Sequence, residues 1–170
     1  MRLELESLEK NRQFAHSYQP DELSLEDADL LLIAPVELRG RVRQREREVE
    51  LIGSLTTALE TACARCLKPV VIPFSAEFDE RFATSVSWGS EEQYELASDD
   101  LNLSIFDGTG IDLDQLAREQ ILLAKPAHVL CREDCQGLCP VCGADRNTAA
   151  CKCEGQQVDS RWEKLRDFQF

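Results

Sequence analysis

The residues best suited to chemistry are the eight cysteines, and they fall in two regions: Cys63 and Cys66 mid-chain, then Cys131, Cys135, Cys139, Cys142, Cys151 and Cys153 near the end. Two thiolates separated by two residues can turn inward on a tight knuckle and take adjacent corners of a tetrahedron, with Zn–S near about 2.3 Å. Cys63-Ala64-Arg65-Cys66 and Cys139-Pro140-Val141-Cys142 both have that spacing. Gly143, directly after the second pair, suits a backbone that leaves the knuckle with positive φ or passes close to the metal. The spacings therefore predict metal bound by thiolates, two ions per chain, with zinc the expected metal and iron in a rubredoxin-like site its rival. A disulfide framework or buried free thiols is the alternative, but a cytosolic chain of this size has no need of staples.

Two divisions of the eight are open. One places Cys63, Cys66, Cys131 and Cys135 at one ion and Cys139, Cys142, Cys151 and Cys153 at another. The other joins the two knuckles, Cys63 and Cys66 with Cys139 and Cys142, as a zinc ribbon does, and leaves four cysteines less well explained. In the first division Cys151 and Cys153 reach one ion only if the chain turns, because residues two apart in a strand lie about 6–7 Å from each other. His128 is close enough in sequence to Cys131 to compete as a ligand, but eight thiolates already suffice; His16 stands alone.

A catalytic zinc keeps a coordination position open and usually mixes histidine or carboxylate into its ligands, whereas all-cysteine sites are closed. The sequence also has no HExxH pair, no phosphate-cradling glycine loop and no serine, histidine and acid arrangement, so an enzyme is not expected. A second group with chemical potential is Arg39, Arg41, Arg43, Arg45 and Arg47, gathered at one end of a predicted hairpin where guanidinium forks could meet phosphate. The competing account is that Glu37, Glu46, Glu48 and Glu50 neutralise them as surface pairs. The formal net charge of −13 repels phosphate overall and leans towards a basic protein partner. Two four-thiolate sites would each add about two negative charges to that balance.

The elements that must position these groups are legible as alternations. Over 36–43, Val36, Leu38, Gly40 and Val42 share one face and Glu37, Arg39, Arg41 and Arg43 the other, which is a half-buried strand. Val49, Leu51, Gly53, Leu55, Thr57 and Leu59 continue the pattern on a return strand, giving an antiparallel hairpin. A third strand is predicted over 70–80, with Val70, Ile72, Phe74, Ala76 and Phe78 on one face and Pro73 suggesting an edge position. The acidic stretch 88–104 reads as a solvated loop. Asp112 and Gln115 form a capping-box pattern opening a helix to about Ala124, stopped by Pro126. Its apolar stripe is Leu113, Leu116, Ala117, Leu123 and Ala124, interrupted by Gln120, so it should cover the sheet. A short final helix is predicted from Ser160, presenting Trp162, Leu165 and Phe168.

The expected fold is α+β: a mainly antiparallel β-sheet or small open barrel covered by a helix, with a C-terminal cysteine-rich zinc module and a short terminal helix. The expected division is a mainly β body with one helix over 1–130, the cysteine-rich module over 131–155 and the terminal helix over 156–170. No repeat is seen, and neither a secretory signal nor a membrane span is expected: the most apolar early run is Leu30-Leu31-Leu32-Ile33-Ala34-Pro35-Val36, far short of the ~18 residues a bilayer needs. A cytoplasmic protein is expected.

An ordered set of these residues resembles the bacterial YceD family: Cys63-Ala64-Arg65-Cys66-Leu67-Lys68-Pro69-Val70 after the hairpin, Gly110-Ile111-Asp112-Leu113 with Glu119 and Leu122, then Gly137-Leu138-Cys139-Pro140-Val141-Cys142-Gly143. The resemblance runs from about Leu30 to the carboxyl terminus. It implies a ribosome-biogenesis factor that supports accumulation of large-subunit ribosomal RNA, with ribosomal RNA or a basic large-subunit ribosomal protein as partner. Some family members lack the segment matching 139–153 while keeping the first knuckle, which favours the first division of the cysteines. The competing functions are a rubredoxin-like redox protein, a metal-dependent RNA-processing enzyme, and a zinc-stapled adaptor unconnected to RNA.

Overall fold

The computed structural model describes residues 1–4, 11–45, 48–84, 103–153 and 161. The chain divides into two compact units, one of Met1–Thr61 with Val71–Ala127 and the other of Ala62–Val70 with His128–Phe170. The first knuckle therefore belongs to the same unit as the C-terminal cysteines, although about 60 residues of the other unit are threaded between them.

In chain order the strands are β1 (Arg2–Glu4), β2 (Asn11–Tyr18), β3 (Leu30–Leu32), β4 (Val36–Gln44), β5 (Glu48–Ala62), β6 (Pro69–Thr84), β7 (Leu103–Phe106) and β8 (Gly110–Asp112), followed by helix α1 (Leu113–Ala124). They form two open sheets. β1 pairs with β8, and the larger sheet runs β2-β4-β5-β6-β7 with β3 also on β5. The alternation of β4 and β5 carries through to burial: Val36, Leu38, Val42, Leu51, Leu55 and Leu59 are fully buried. Each such side chain contributes about 1.5–3 kcal/mol through burial. β4 and β5 are antiparallel with Gly40 opposite Gly53. The space those glycines leave is filled by rings, because a Cβ on Gly40 would meet Phe14 and one on Gly53 would meet Phe78.

Three features depart from the sequence expectation. First, β4 is not one half of a bare hairpin: β2 lies antiparallel along its other edge, from Asn11 opposite Arg43 to Tyr18 opposite Val36. Second, β6 sits between β5 and β7, and its pairing with β7 is parallel. β7 meets only Arg81–Thr84, so among the described residues Pro73 faces no strand on that side, which is where a residue without an N–H is tolerated. Third, the buried face of α1 is Leu113, Leu116, Ala117, Gln120 and Ile121, while Leu123 is 79% exposed. Gln120 does not interrupt the buried stripe. It is buried because its Nε2 donates to Glu80 Oε1 at 2.8 Å.

Asp112 caps the helix as expected, accepting from the N–H of Asp114 and Gln115. The reciprocal half of the capping box is replaced: Gln115 Nε2 donates to Glu119 Oε1 at 2.8 Å. Four of the buried α1 residues lie in the same hydrophobic core as Phe14, Tyr18, Phe74 and Phe78. The predicted terminal helix with Trp162, Leu165 and Phe168, Arg47, and most of the acidic stretch lie outside the described residues. No described helix is long and apolar enough to cross a membrane.

Candidate metal centres

The two knuckles are built alike. In the first, Cys63 N–H donates to Lys68 O at 2.8 Å and Leu67 N–H to Cys63 O at 2.9 Å. In the second, Cys139 N–H donates to Ala144 O at 2.8 Å and Gly143 N–H to Cys139 O at 2.8 Å. The residue after the second cysteine is left-handed in both, with φ of 59° at Leu67 and 71° at Gly143. Gly143 adopts that conformation freely, whereas Leu67 holds it at a cost of about 1–2 kcal/mol.

The sulfurs gather in two sets. Cys63, Cys66, Cys131 and Cys135 have Sγ atoms all within 4.8 Å of one another, and so do Cys139, Cys142, Cys151 and Cys153. Measured contacts are 3.9 Å for Cys63–Cys135, 3.6 Å for Cys66–Cys131, 3.6 Å for Cys142–Cys151 and 3.3 Å for Cys151–Cys139. Four ligands at about 2.3 Å from a central ion are about 3.8 Å apart along a tetrahedral edge, so both sets have the dimensions of a four-thiolate site. The cysteines are free thiols. The ribbon arrangement, which would unite Cys63 and Cys66 with Cys139 and Cys142, is not the one the fold produces. Cys153 comes within reach of the other three, and the Cys153 N–H donates to Cys151 Sγ at 3.4 Å. His128 is exposed and outside both sets, and half-buried His16 sits edge-on to Tyr18 at 4.3 Å.

The two sets differ in access. Cys63, Cys66 and Cys135 are buried, with Val70, Leu130 and Leu138 packed against them; only Cys131 is exposed. In the other set Cys142 and Cys153 are exposed and Cys139 alone is buried. Each knuckle aims amide donors at its first sulfur. The N–H groups of Cys66, Arg65 and Cys131 bring the Cys63 thiol down to about 6, and those of Cys142 and Val141 do the same for Cys139. Burial pushes Cys131 up to about 12. The first sulfur of each knuckle is thus inclined to meet a cation as a thiolate.

Around the sulfurs lies a polar shell. Arg65 donates to Cys135 O at 2.9 Å, and Lys68 Nζ meets Asp145 Oδ2 at 2.7 Å. Hydrogen bonding from Lys68, then from the Asn147 backbone, holds the Asp145 carboxyl down to about 2. Asn147 Nδ2 donates to Cys135 Sγ at 3.5 Å. None of these four residues is singled out by cysteine spacing; the only local signal is Asp145-Arg146-Asn147, whose Asn147 N–H closes a turn on Asp145 Oδ1 at 2.9 Å.

The arginines of the hairpin are dispersed rather than pooled. Arg43 and Arg45 both reach Glu50, at 3.5 and 3.4 Å, and Arg39 lies 4.0 Å from Glu37. Glu48, expected to balance them, is instead held by Arg81 at 2.7 Å. Among the described residues no carboxylate lies within 4.0 Å of the Arg41 guanidinium. Arg39 and Arg41 sit opposite Ala15 and Gln13 on β2 and opposite Ser54 and Ile52 on β5, an outer sheet face with no acid directly across from them.

The model of a family described as large ribosomal RNA subunit accumulation protein YceD matches residues 51–169, a span that includes all eight cysteines. An uncharacterised protein of Mycobacterium bovis is 32% identical over 148 residues, covering 87% of this chain and 69% of that protein. The uncharacterised protein YlbN of Bacillus subtilis is 26% identical over 154 residues, covering 90% of this chain and 85% of its own length. A Zea mays protein named large ribosomal RNA subunit accumulation protein YCED homolog 1, chloroplastic, is 25% identical, covering 73% of this chain and 50% of that protein. No solved structure matches. With its knuckles, its intervening helix and its terminal cysteines all inside one matched span, the chain belongs to the YceD family.

Proposed function

We propose that this protein is a non-enzymatic ribosome-biogenesis factor of the cytoplasm that supports accumulation of large-subunit ribosomal RNA by holding a basic large-subunit ribosomal protein, with one structural zinc ion in each four-cysteine set. Family membership and the name of the maize relative support the connection to ribosomal RNA. The observation that carries the choice of partner is the division of charge between the units. The unit of Met1–Thr61 with Val71–Ala127 has eleven Lys and Arg against 25 Asp and Glu, a formal −14; the other has eight against seven, a formal +1. A field so concentrated attracts a cationic tail and repels phosphate. Closed sets of four thiolates leave no position for substrate, which supports zinc as a brace and not as a catalyst.

Direct contact with ribosomal RNA is the second reading, and what favours it is the exposed Arg41, which meets no carboxylate among the described residues, with Arg39 beside it. A tagged pull-down from cells, identifying both the proteins and the RNA recovered, separates the two. The leading proposal expects a basic large-subunit protein whose recovery survives nuclease treatment. Recovery of ribosomal RNA alone would replace it with the second reading. Conversion of precursor RNA by the purified protein would replace both with an enzyme, and visible colour with iron in the purified protein would replace zinc.

A further inference from the structure

We propose that Asn147 couples the two four-cysteine sites, so that an ion bound at the Cys139 set strengthens binding at the Cys63 set. The proposal rests on the metal-holding reading above. Asn147 is placed by the second set, because it stands in the segment between Cys142 and Cys151, two of that set's own sulfurs. Its hydrogen bonds go to the first set. Nδ2 donates to Cys135 Sγ at 3.5 Å, while Oδ1 accepts from Arg132 Nη2 at 2.7 Å and from Gln136 N–H at 2.8 Å, both neighbours of Cys135 and Cys131. The second Nδ2 hydrogen goes to Asp145 Oδ1 at 2.6 Å, so both donors and both acceptor positions of the amide are used.

Asp145 continues the link. Its other oxygen meets Lys68 Nζ at 2.7 Å, two residues beyond Cys66, and its backbone bridges to Leu138, whose N–H donates to Arg65 O at 3.0 Å. The turn is closed on itself by Thr148 and Ala149 N–H donating to Asp145 O at 3.1 and 2.9 Å. One short turn therefore contacts both halves of the first set while its two ends are tied to sulfurs of the second. Without an ion on Cys142 and Cys151 those ends are held by hydrogen bonds alone, such as Arg146 N–H to Gly137 O at 2.9 Å, and more of the entropy of ordering the turn is charged against its hydrogen bonds to the first set. With the ion in place that ordering is already done, and an amide N–H is held against a sulfur that must carry negative charge. By reciprocity, filling the first set strengthens the second by the same factor. Asn147 is a positioning residue here, acting through Cys135.

The test is native mass spectrometry of the full chain with one equivalent of zinc added to the reduced, metal-free protein. Outer-shell hydrogen bonds to metal ligands are typically worth about tenfold or more in affinity. For tenfold coupling the singly loaded fraction is about half of that for independent sites, so Asn147→Leu should raise it about twofold while the fully loaded chain still holds two ions. Asn147→Asp keeps oxygens facing Arg132 and Gln136 but loses the donor to Cys135; it should give the same redistribution, and it decides the matter if circular dichroism shows the Leu variant unfolded. Two ions bound with an unchanged distribution in a folded variant would overturn the coupling and leave the metal reading intact. A natural chain that takes up no zinc would overturn the metal reading itself.

Discussion

Gly137 and Gly143 offer a controlled comparison, because their backbones are alike and their surroundings are not. Their φ angles are 69° and 71°, but a Cβ on Gly137 would lie 2.9 Å from Arg65 O and 3.3 Å from Arg65 Cβ, while one on Gly143 would meet nothing within 4 Å. Replacing either by Ala places an L side chain in the left-handed region, at about 1–2 kcal/mol. Part of that is offset by about 0.4–1 kcal/mol, because Ala restricts the unfolded chain more than Gly does. Gly143→Ala should therefore destabilise by no more than about 1.6 kcal/mol. The neighbouring knuckle already holds Leu67 at φ 59°, so the conformation itself tolerates a side chain. For Gly137 the obstacle is a backbone carbonyl that accepts from Leu138 N–H at 3.0 Å and cannot withdraw without loosening that bond. Overlap of this kind adds about 1–3 kcal/mol, for a total of about 1–4.6 kcal/mol. Urea denaturation followed by circular dichroism, with zinc held at a fixed excess over both variants, measures the difference. Two variants within about 0.5 kcal/mol of each other, or a worse outcome for Gly143→Ala, would refute the assignment of the larger cost to Arg65.

The purified, thiol-protected chain should hold two metal ions, and a chromogenic chelator should remove them in two phases of one ion each, the exposed set containing Cys142 and Cys153 first. A single phase would contradict the difference in burial. Arg39→Gln with Arg41→Gln should weaken whatever binding to ribosomal RNA fragments the chain shows at low salt and reduce its salt slope by about 2, whereas Arg43→Gln with Arg45→Gln, whose arginines are engaged by Glu50, should change it less. Filter binding across a salt series measures both, and equal effects of the two pairs would refute the reading of that face.

Sequence made some of this legible and not the rest, for physical reasons. β4 and β5 could be read because a half-buried antiparallel strand prints its two faces as strict alternation, as Val36 to Val42 and Val49 to Leu59 each do. β2 could not, because Asn11, Arg12 and Gln13 open it with exposed polar residues and only Phe14 and Tyr18 are buried. Gln120 was legible as polar but not as buried, since its satisfaction depends on Glu80, forty residues away. The knuckles are local and show as spacing. Their partners are not: that Cys131 and Cys135 join Cys63 and Cys66 is a contact across 65 or more positions, which spacing does not encode. Asn147 is silent in the sequence, because an asparagine in a turn looks the same whether its amide meets water or sulfur.

The threading of one unit through the other has a consequence in time. Cys131 follows Cys66 by 65 positions, so during synthesis at about 5–20 residues per second the first knuckle is made about 3–13 s before any sulfur that can complete its set. For that interval it offers two thiols only, without the Cys131 N–H that donates to Cys63 Sγ in the folded chain. A cation bound there would have two ligands and exchange readily; the set of four is complete only once Cys131 and Cys135 have been made. A chain cut short before Cys131 would have the first knuckle and none of the sulfurs that complete its set.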